Sequence, residues 1–152
     1  MFCSDIFSSV AARNPLVHCI TNYVTANDCA NVLLACGASP VMADEPAESG
    51  EVTSRSSALV LNFGTFGKDR LESMIISGKT ANSLNLPVVL DPVGVGISRV
   101  RREAFERLAG EVNFSVVRGN ASEIMCLAGN IDSSLGVDVG SGISFSGDNV
   151  SG

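Results

Sequence analysis

The sequence predicts an α/β protein: a parallel sheet of about five strands that alternate with helices covering both faces. Three observations lead there. Five short apolar runs recur, with centres roughly 20 to 30 residues apart. Each is rich in Val, Leu or Ile and lacks polar alternation, the pattern of strands buried on both faces. The gaps between the runs carry helical periodicity, and strand–helix alternation of this kind builds a parallel sheet with right-handed crossovers.

Element by element, the chain opens with a helical stripe over Phe2–Ala12, where Phe2, Ile6 and Val10 fall in register. The first apolar run is Leu16–Ile20. A helix over Ala26–Cys36 follows, with Ala26, Cys29, Ala30, Leu33 and Leu34 on its apolar side and Gly37 as its stop. The second run is Pro40–Ala43, and the helical pattern is faintest over Glu48–Ser57. The third run, Ala58–Phe63, leads to a helix over Arg70–Asn85 that places Leu71, Met74, Ile75, Gly78 and Ala81 on one face. The fourth run is Pro87–Leu90. A charged helix over Arg99–Leu108 turns Val100, Ala104 and Leu108 inward, and the fifth run is Phe114–Val117. Asn120 begins an N-A-S-E start, an N-cap with an acid at the third position, for a helix ending before Gly129. Residues 1–130 should form the N-terminal part of an α/β domain. Residues 131–152 form a Ser/Gly-rich tail, flexible or the remnant of a larger fold.

Composition narrows the function classes. A chain of 152 residues predicts one domain able to bury about 70% of its surface without disulfides or metal. With 45% apolar and 17% charged residues and a mean hydropathy of +0.30, it is not disordered. Its net charge of −6 lacks the basic footprint of a nucleic-acid binder. No apolar run approaches the ~20 residues that span a membrane. The N-terminus has no basic segment and carries Asp5, so it reads poorly as a signal peptide and points to the cytoplasm. Five cysteines (Cys3, Cys19, Cys29, Cys36 and Cys126) without C-x-x-C spacing read as reduced, buried thiols. The single histidine, His18, adjoins Cys19, but neighbours on a strand point to opposite faces, which argues against a dyad.

Ligands of open α/β sheets sit beyond the carboxyl ends of the strands. Those ends hold His18, Thr21 and Asn22; Met42, Asp44 and Glu45; Asn62, Gly64 and Thr65; Asp91, Gly94 and Gly96; and Arg118, Asn120 and Glu123. The opposite ends are poorer in polar groups. Asp91 reads either as a metal or phosphate group or as the cap of a turn before Pro92. Glu123 reads either as a site residue or as the third position of a capping box. Arg118 needs an anion, supplied by Glu123 or by a ligand phosphate. Together Asp91 and Glu123 suit Mg²⁺, a hard ion held by one or two carboxylates plus substrate phosphates. Neither G-x-G-x-x-G nor G-x-x-x-x-G-K-[ST] is present. These groups sketch phosphoryl transfer, which depends on positioning and electrostatic stabilisation.

The stretches PLVHCITNYVTAND, LLACGASPVMA, ALVLNFGT, VVLDPVGVG and VVRGNASEI resemble the hydroxyethylthiazole kinases of thiamine salvage, over about residues 10 to 140. The resemblance implies a ribokinase-like fold, a homotrimer, and transfer of the γ-phosphate of ATP to the hydroxyl of 4-methyl-5-(2-hydroxyethyl)thiazole with Mg²⁺. It implies that Met42 contacts the thiazole and that Asn22, Gly64 and Thr65 line its pocket. It places Asp91 and Glu123 near Mg²⁺ and phosphate, and Arg118 against ATP. The family also carries a Gly-rich loop leading into a helix, whose N–H groups form the anion hole for the transferring phosphate. No TGAGC-like run follows Val139, so no catalytic residue is assigned. The chain alone is therefore expected to have little or no kinase activity. The alternatives are a non-catalytic thiazole-binding module or an inert subunit of the kinase.

Overall fold

The computed structural model describes residues 3–65 and 67–129. Each of the five apolar runs overlaps a strand: β1 (Leu16–Ile20), β2 (Ser39–Val41), β3 (Ala58–Asn62), β4 (Val88–Asp91) and β5 (Val116–Val117). The helices among the described residues are α1 (Cys3–Arg13), α2 (Ala26–Ala35), α3 (Pro46–Ser54), α4 (Lys68–Ser83), α5 (Arg99–Glu111) and α6 (Ala121–Leu127). The strands form one parallel sheet in the order β2-β1-β3-β4-β5. β1 thus has β2 on one side and β3 on the other, and the sheet reverses its direction of growth between them. This switch point opens a crevice at the carboxyl ends of β1 and β3.

Alternate strand residues serve opposite faces. On one face Ile20, Leu59, Leu61 and Leu90 pack with Met74 and Ile75 of α4 and Leu108 of α5. Fully burying such side chains stabilises by about 1.5–3 kcal/mol each. The predicted stripe of α4 is buried throughout, from Leu71 to Ala81. Gly78 lies on it because a Cβ there would meet the Val112 side chain at 2.4 Å, so only glycine lets the end of α5 close on α4. The other face has a smaller core: Val17, Cys19 and Ala38, with Val10 of α1 and Leu33 of α2 packed against them. Burial, and to a lesser degree Cys29, pushes the Cys19 thiol up to about 12, so it stays protonated and inert.

Several expectations shift. Helix α1 runs to Arg13; its Ile6 is exposed, and Phe2 lies outside the described residues. Leu34 of α2 and Val100 of α5 face solvent, because α2 packs through Leu33 and the inward stripe of α5 starts at Ala104. Helix α3 starts at Pro46, where the missing N–H of proline costs nothing. Strand β2 spans Ser39–Val41 and stops short of Met42 and Ala43. Strand β5 starts two residues late, since Val88 N–H donates to the Ser115 hydroxyl (3.1 Å), leaving only Val116–Val117 in the ladder. Both valines are exposed, and β3 and β4 are buried on one face and half-buried on the other. Burial on both faces holds for β1 alone. Among the described residues no helix is long and apolar enough to cross a membrane. The tail expected over 131–152 lies outside them.

Candidate functional site

The carboxyl ends of the strands are joined by a relay of amides and carboxylate. Asn22, two residues past β1, uses its Oδ1 to accept from the Thr25 N–H (3.0 Å) and the Thr25 hydroxyl (3.1 Å), closing the turn into α2. Its Nδ2 donates to Oδ1 of Asn62, the last residue of β3, at 3.0 Å. Asn62 Oδ1 also accepts from Gly64 N–H (2.9 Å), and Asn62 Nδ2 donates to Oδ2 of Asp91 at the end of β4 (3.0 Å). Arg118, just past β5, donates to the same oxygen (2.8 Å). Gly64 is confined by this relay: a Cβ there would lie 2.9 Å from Asn62 Oδ1 and 3.0 Å from Asn22 Cβ.

At the β1–β3 end the organising group is an arginine that sequence reading left as the first residue of a helix. Arg70, in the first turn of α4, is 7% exposed. It donates to the Thr21 carbonyl (3.0 Å), to the Thr65 carbonyl (2.9 Å) and hydroxyl (2.7 Å), and to the Asp44 carboxylate. Its guanidinium lies 4.0 Å from the centroid of the Tyr23 ring, and the Tyr23 hydroxyl donates to Asp44 (3.1 Å). Burial pushes the Asp44 carboxyl up, but the bonds from Arg70 and Tyr23 outweigh it and hold the group below the usual carboxylate value. A cavity of about 100 Å³ opens here, lined by Thr21, Tyr23, Met42, Asp44 and Arg70 among others. Beneath the β2 loop, fully buried His18 has its Nε2 2.7 Å from the Ala43 carbonyl and its Nδ1 2.8 Å from the Thr53 hydroxyl. Burial holds its pKa below the ordinary value, against the pull of that carbonyl and of Glu48. A neutral ring donates from Nε2 to the Ala43 carbonyl, and the Thr53 hydroxyl, 2.8 Å from both Nδ1 and the Ser49 carbonyl, has one proton to share between those two acceptors.

The β4–β5 end is built differently. Glu123 is buried, with Oε1 accepting from Gly94 N–H (3.0 Å) and Oε2 from Asn120 N–H (2.9 Å). The second bond completes the capping box of α6. Glu123 therefore holds the β4 loop to α6, and the anion facing Arg118 is Asp91 rather than Glu123. Burial, with Glu123 adding to it, lifts the Asp91 carboxyl above its ordinary value against the pull of Arg118 and Asn62. Arg101 of α5 ties the β3 and β4 loops together by donating to the carbonyls of Phe63 (2.8 Å), Val93 (3.1 Å) and Gly64. A groove of about 440 Å³ crosses the half-covered face, its lining including Cys29, Val60, Val89, Asn62, Asp91 and Arg118.

No three His, Cys, Asp or Glu side chains form a metal-ligand group among the described residues. The donor set fits a hard divalent ion completed by phosphate oxygens. Asp91 Oδ1 is used in none of the bonds above, and a cation there would relieve the burial that lifts Asp91.

Of the residues singled out from sequence, Asn22 and Asp91 meet through Asn62, Gly64 lies against Asn22, and Thr65 bonds to Arg70. Met42 lines the cavity beside Arg70, whereas Asn22, Gly64 and Thr65 stand outside its lining. Asn62 was visible as a strand end. Nothing marked Arg70, since an arginine in the first turn of a helix usually faces water.

A family profile described as the hydroxyethylthiazole kinase family matches residues 7–146. The protein named hydroxyethylthiazole kinase of Desulfovibrio desulfuricans is 53% identical over 135 residues, covering 89% of this chain and 47% of that protein. Its namesake from Clostridium beijerinckii is 54% identical over 134 residues, covering 88% and 49%. The solved structure of a hydroxyethylthiazole kinase protein from Pyrococcus horikoshii superposes with a TM-score of 0.78 at 41% identity, over 82% of this chain and 49% of that one. The chain spans about half the length of the curated relatives it matches.

Proposed function

The chain belongs to the hydroxyethylthiazole kinase family, and from that premise we propose that it carries the half of the site that binds the thiazole alcohol and aligns it with ATP. The observation that supports this most is the Asn22–Asn62–Asp91 relay, which ties the loop after β1 to the carboxylate at the end of β4. In this reading Met42, Asn22, Gly64 and Thr65 line the pocket for 4-methyl-5-(2-hydroxyethyl)thiazole. Asp91 is the residue that would hold Mg²⁺ together with phosphate oxygens of ATP, and the ion would neutralise charge on the transferring group. Asn62 orients Asp91. Arg118, 70% exposed in its side chain, is placed to leave Asp91 for a phosphate. Glu123 shapes the Gly94 loop through backbone bonds and sits close enough to reinforce the negative field at Asp91. A cytoplasmic homotrimer belongs to the same reading, supported by the family resemblance; sedimentation tests it.

No described residue takes the place of the family's Gly-rich anion hole, so this chain alone should bind the thiazole alcohol with little turnover. The test is calorimetric titration of that alcohol into the chain, then mass spectrometry of product after incubation with ATP and Mg²⁺. Asp91→Asn is the contamination control. Binding without product is the expected result. Product above the control shows that this half performs the chemistry. A folded chain that neither binds nor converts the alcohol overturns the reading.

A further inference from the structure

We propose that Arg70 is the positioning residue of the thiazole pocket: one buried guanidinium holds the loops after β1, β2 and β3 in a single arrangement. The inference rests on the pocket assignment above. Its geometry is independent of that assignment.

The bonds of Arg70 run to three separate loops, two of them distant in sequence and one only five positions away. Thr21 follows β1 and lies 49 positions away, Asp44 follows β2 and lies 26 away, and Thr65 follows β3. Each of these loops carries a pocket residue: Asn22, Met42, and Gly64 with Thr65. Both terminal nitrogens point inward, so the guanidinium is not offered to a phosphate. Tyr23 is pinned by the same pair, its ring over the guanidinium and its hydroxyl on Asp44. Ser73, three residues further along α4, donates to the Asp44 carbonyl (2.7 Å) and braces the same loop. Taking a guanidinium out of water is costly, and an apolar side chain of similar size packs at least as well. What the arginine supplies is a planar fork that spans several acceptors at once. A lysine ammonium is a point charge and cannot span them.

The test compares wild type with Arg70→Met and Arg70→Lys by two readouts. Hydrogen exchange read by mass spectrometry follows segments 21–26, 42–45 and 63–65. Calorimetry follows the thiazole alcohol. All three segments should exchange at least tenfold faster together in both variants, while β3 and the rest of α4 keep their protection. Affinity for the alcohol should fall at least tenfold in both. Failure of lysine to rescue separates fork geometry from charge.

Loosening of one segment alone, or equal loss of protection through α4 and β3, overturns the proposal, since it shows that Arg70 only packs. Three loosened segments with unchanged affinity overturn it as well. If wild type does not bind the alcohol, the pocket assignment fails, and exchange alone decides: joint loosening upholds the staple and independent loosening overturns it. If Arg70→Met does not fold, Asp44→Asn takes its place. Loosening that spreads from 42–45 to the other two segments upholds the staple, and loosening confined to 42–45 overturns it.

Discussion

Asp44 and Asp91 both stand where a strand of the sheet gives out, and each faces an arginine, yet they are displaced in opposite directions. Asp44 is held below the usual carboxylate value and Asp91 is lifted above it. Burial acts on both as the largest influence and pushes both up. The difference lies in the partners. Arg70 is enclosed and locked by several bonds, and Tyr23 adds a second donor. Arg118 is a solvent-exposed side chain, and Glu123 adds a like charge beside Asp91. An enclosed arginine keeps a carboxylate charged, whereas a solvent-exposed one leaves it short of countercharge. The first arrangement gives a pocket its shape, and the second leaves a carboxylate in need of a cation.

Removing each carboxylate separates the two most sharply. Asp44→Asn at neutral pH should cost about 1–2 kcal/mol, allowing for the partial exposure of Asp44, because it strips countercharge from an enclosed guanidinium. Asp91→Asn should stay within about 0.5 kcal/mol of wild type or stabilise slightly, since it removes a charge that burial disfavours. Urea unfolding of both variants checks this. A matched loss in the two would erase the distinction.

The pH dependence should carry opposite signs. The folded pKa of Asp44 lies below its unfolded value near 3.8, so its stabilisation is complete above that value and lost as pH falls through the folded one. Wild type and Asp44→Asn therefore converge in acid. The folded pKa of Asp91 lies above 3.8, so its contribution is complete below that value and lost as pH rises through the folded one. Asp91→Asn therefore gains on wild type from acid towards neutrality. Urea midpoints across pH 3 to 7, roughly the span over which carboxylates titrate, decide it.

The smallest effect concerns His18, which anchors the loop carrying Met42 and Asp44 from below. Its folded pKa lies below 6.5, so stability is complete above that value and declines as pH falls, when unfolded chains take up a proton that folded ones refuse. The slope is at most about 1.4 kcal/mol per pH unit. It is the only histidine, and in His18→Gln the slope should vanish while the variant remains less stable than wild type at pH 7. Thermal melts of both proteins against pH measure it.

Much of this was legible in the sequence, for reasons that differ by residue. Short apolar runs marked all five strands, and at β1, β3 and β4 they do so because the sheet buries at least one face of each strand. The stripe of α4 was legible because that helix lies on the larger core. Val100 misled because a helix end can reach past the layer beneath it. Val116 and Val117 misled because apolar composition cannot tell a central strand from an edge. The strand order depends on which strands meet, which no local pattern encodes. Among the candidate residues, the strand-end rule pointed to Asn22, Met42, Thr65 and Asp91, and the N-A-S-E start offered capping as one of two readings of Glu123, the one the capping box of α6 bears out. Arg70 and the amide pairing of Asn22 with Asn62 stayed hidden, since both depend on contacts across 40 or more positions.

The strand order also sets a timetable. Thr21, Asp44, Thr65 and Arg70 all precede Ser73, and the sheet needs only β2, β1 and β3 to bring their loops together. A ribosome delivering the chain from its N-terminus releases every part of the stapled half before Asp91 has emerged. Asp91 must then wait for Arg118, and the Gly94 loop for Glu123. Every member of the staple thus lies ahead of Asp91, Arg118 and Glu123 in the chain, so the order of synthesis puts the pocket before the charged end.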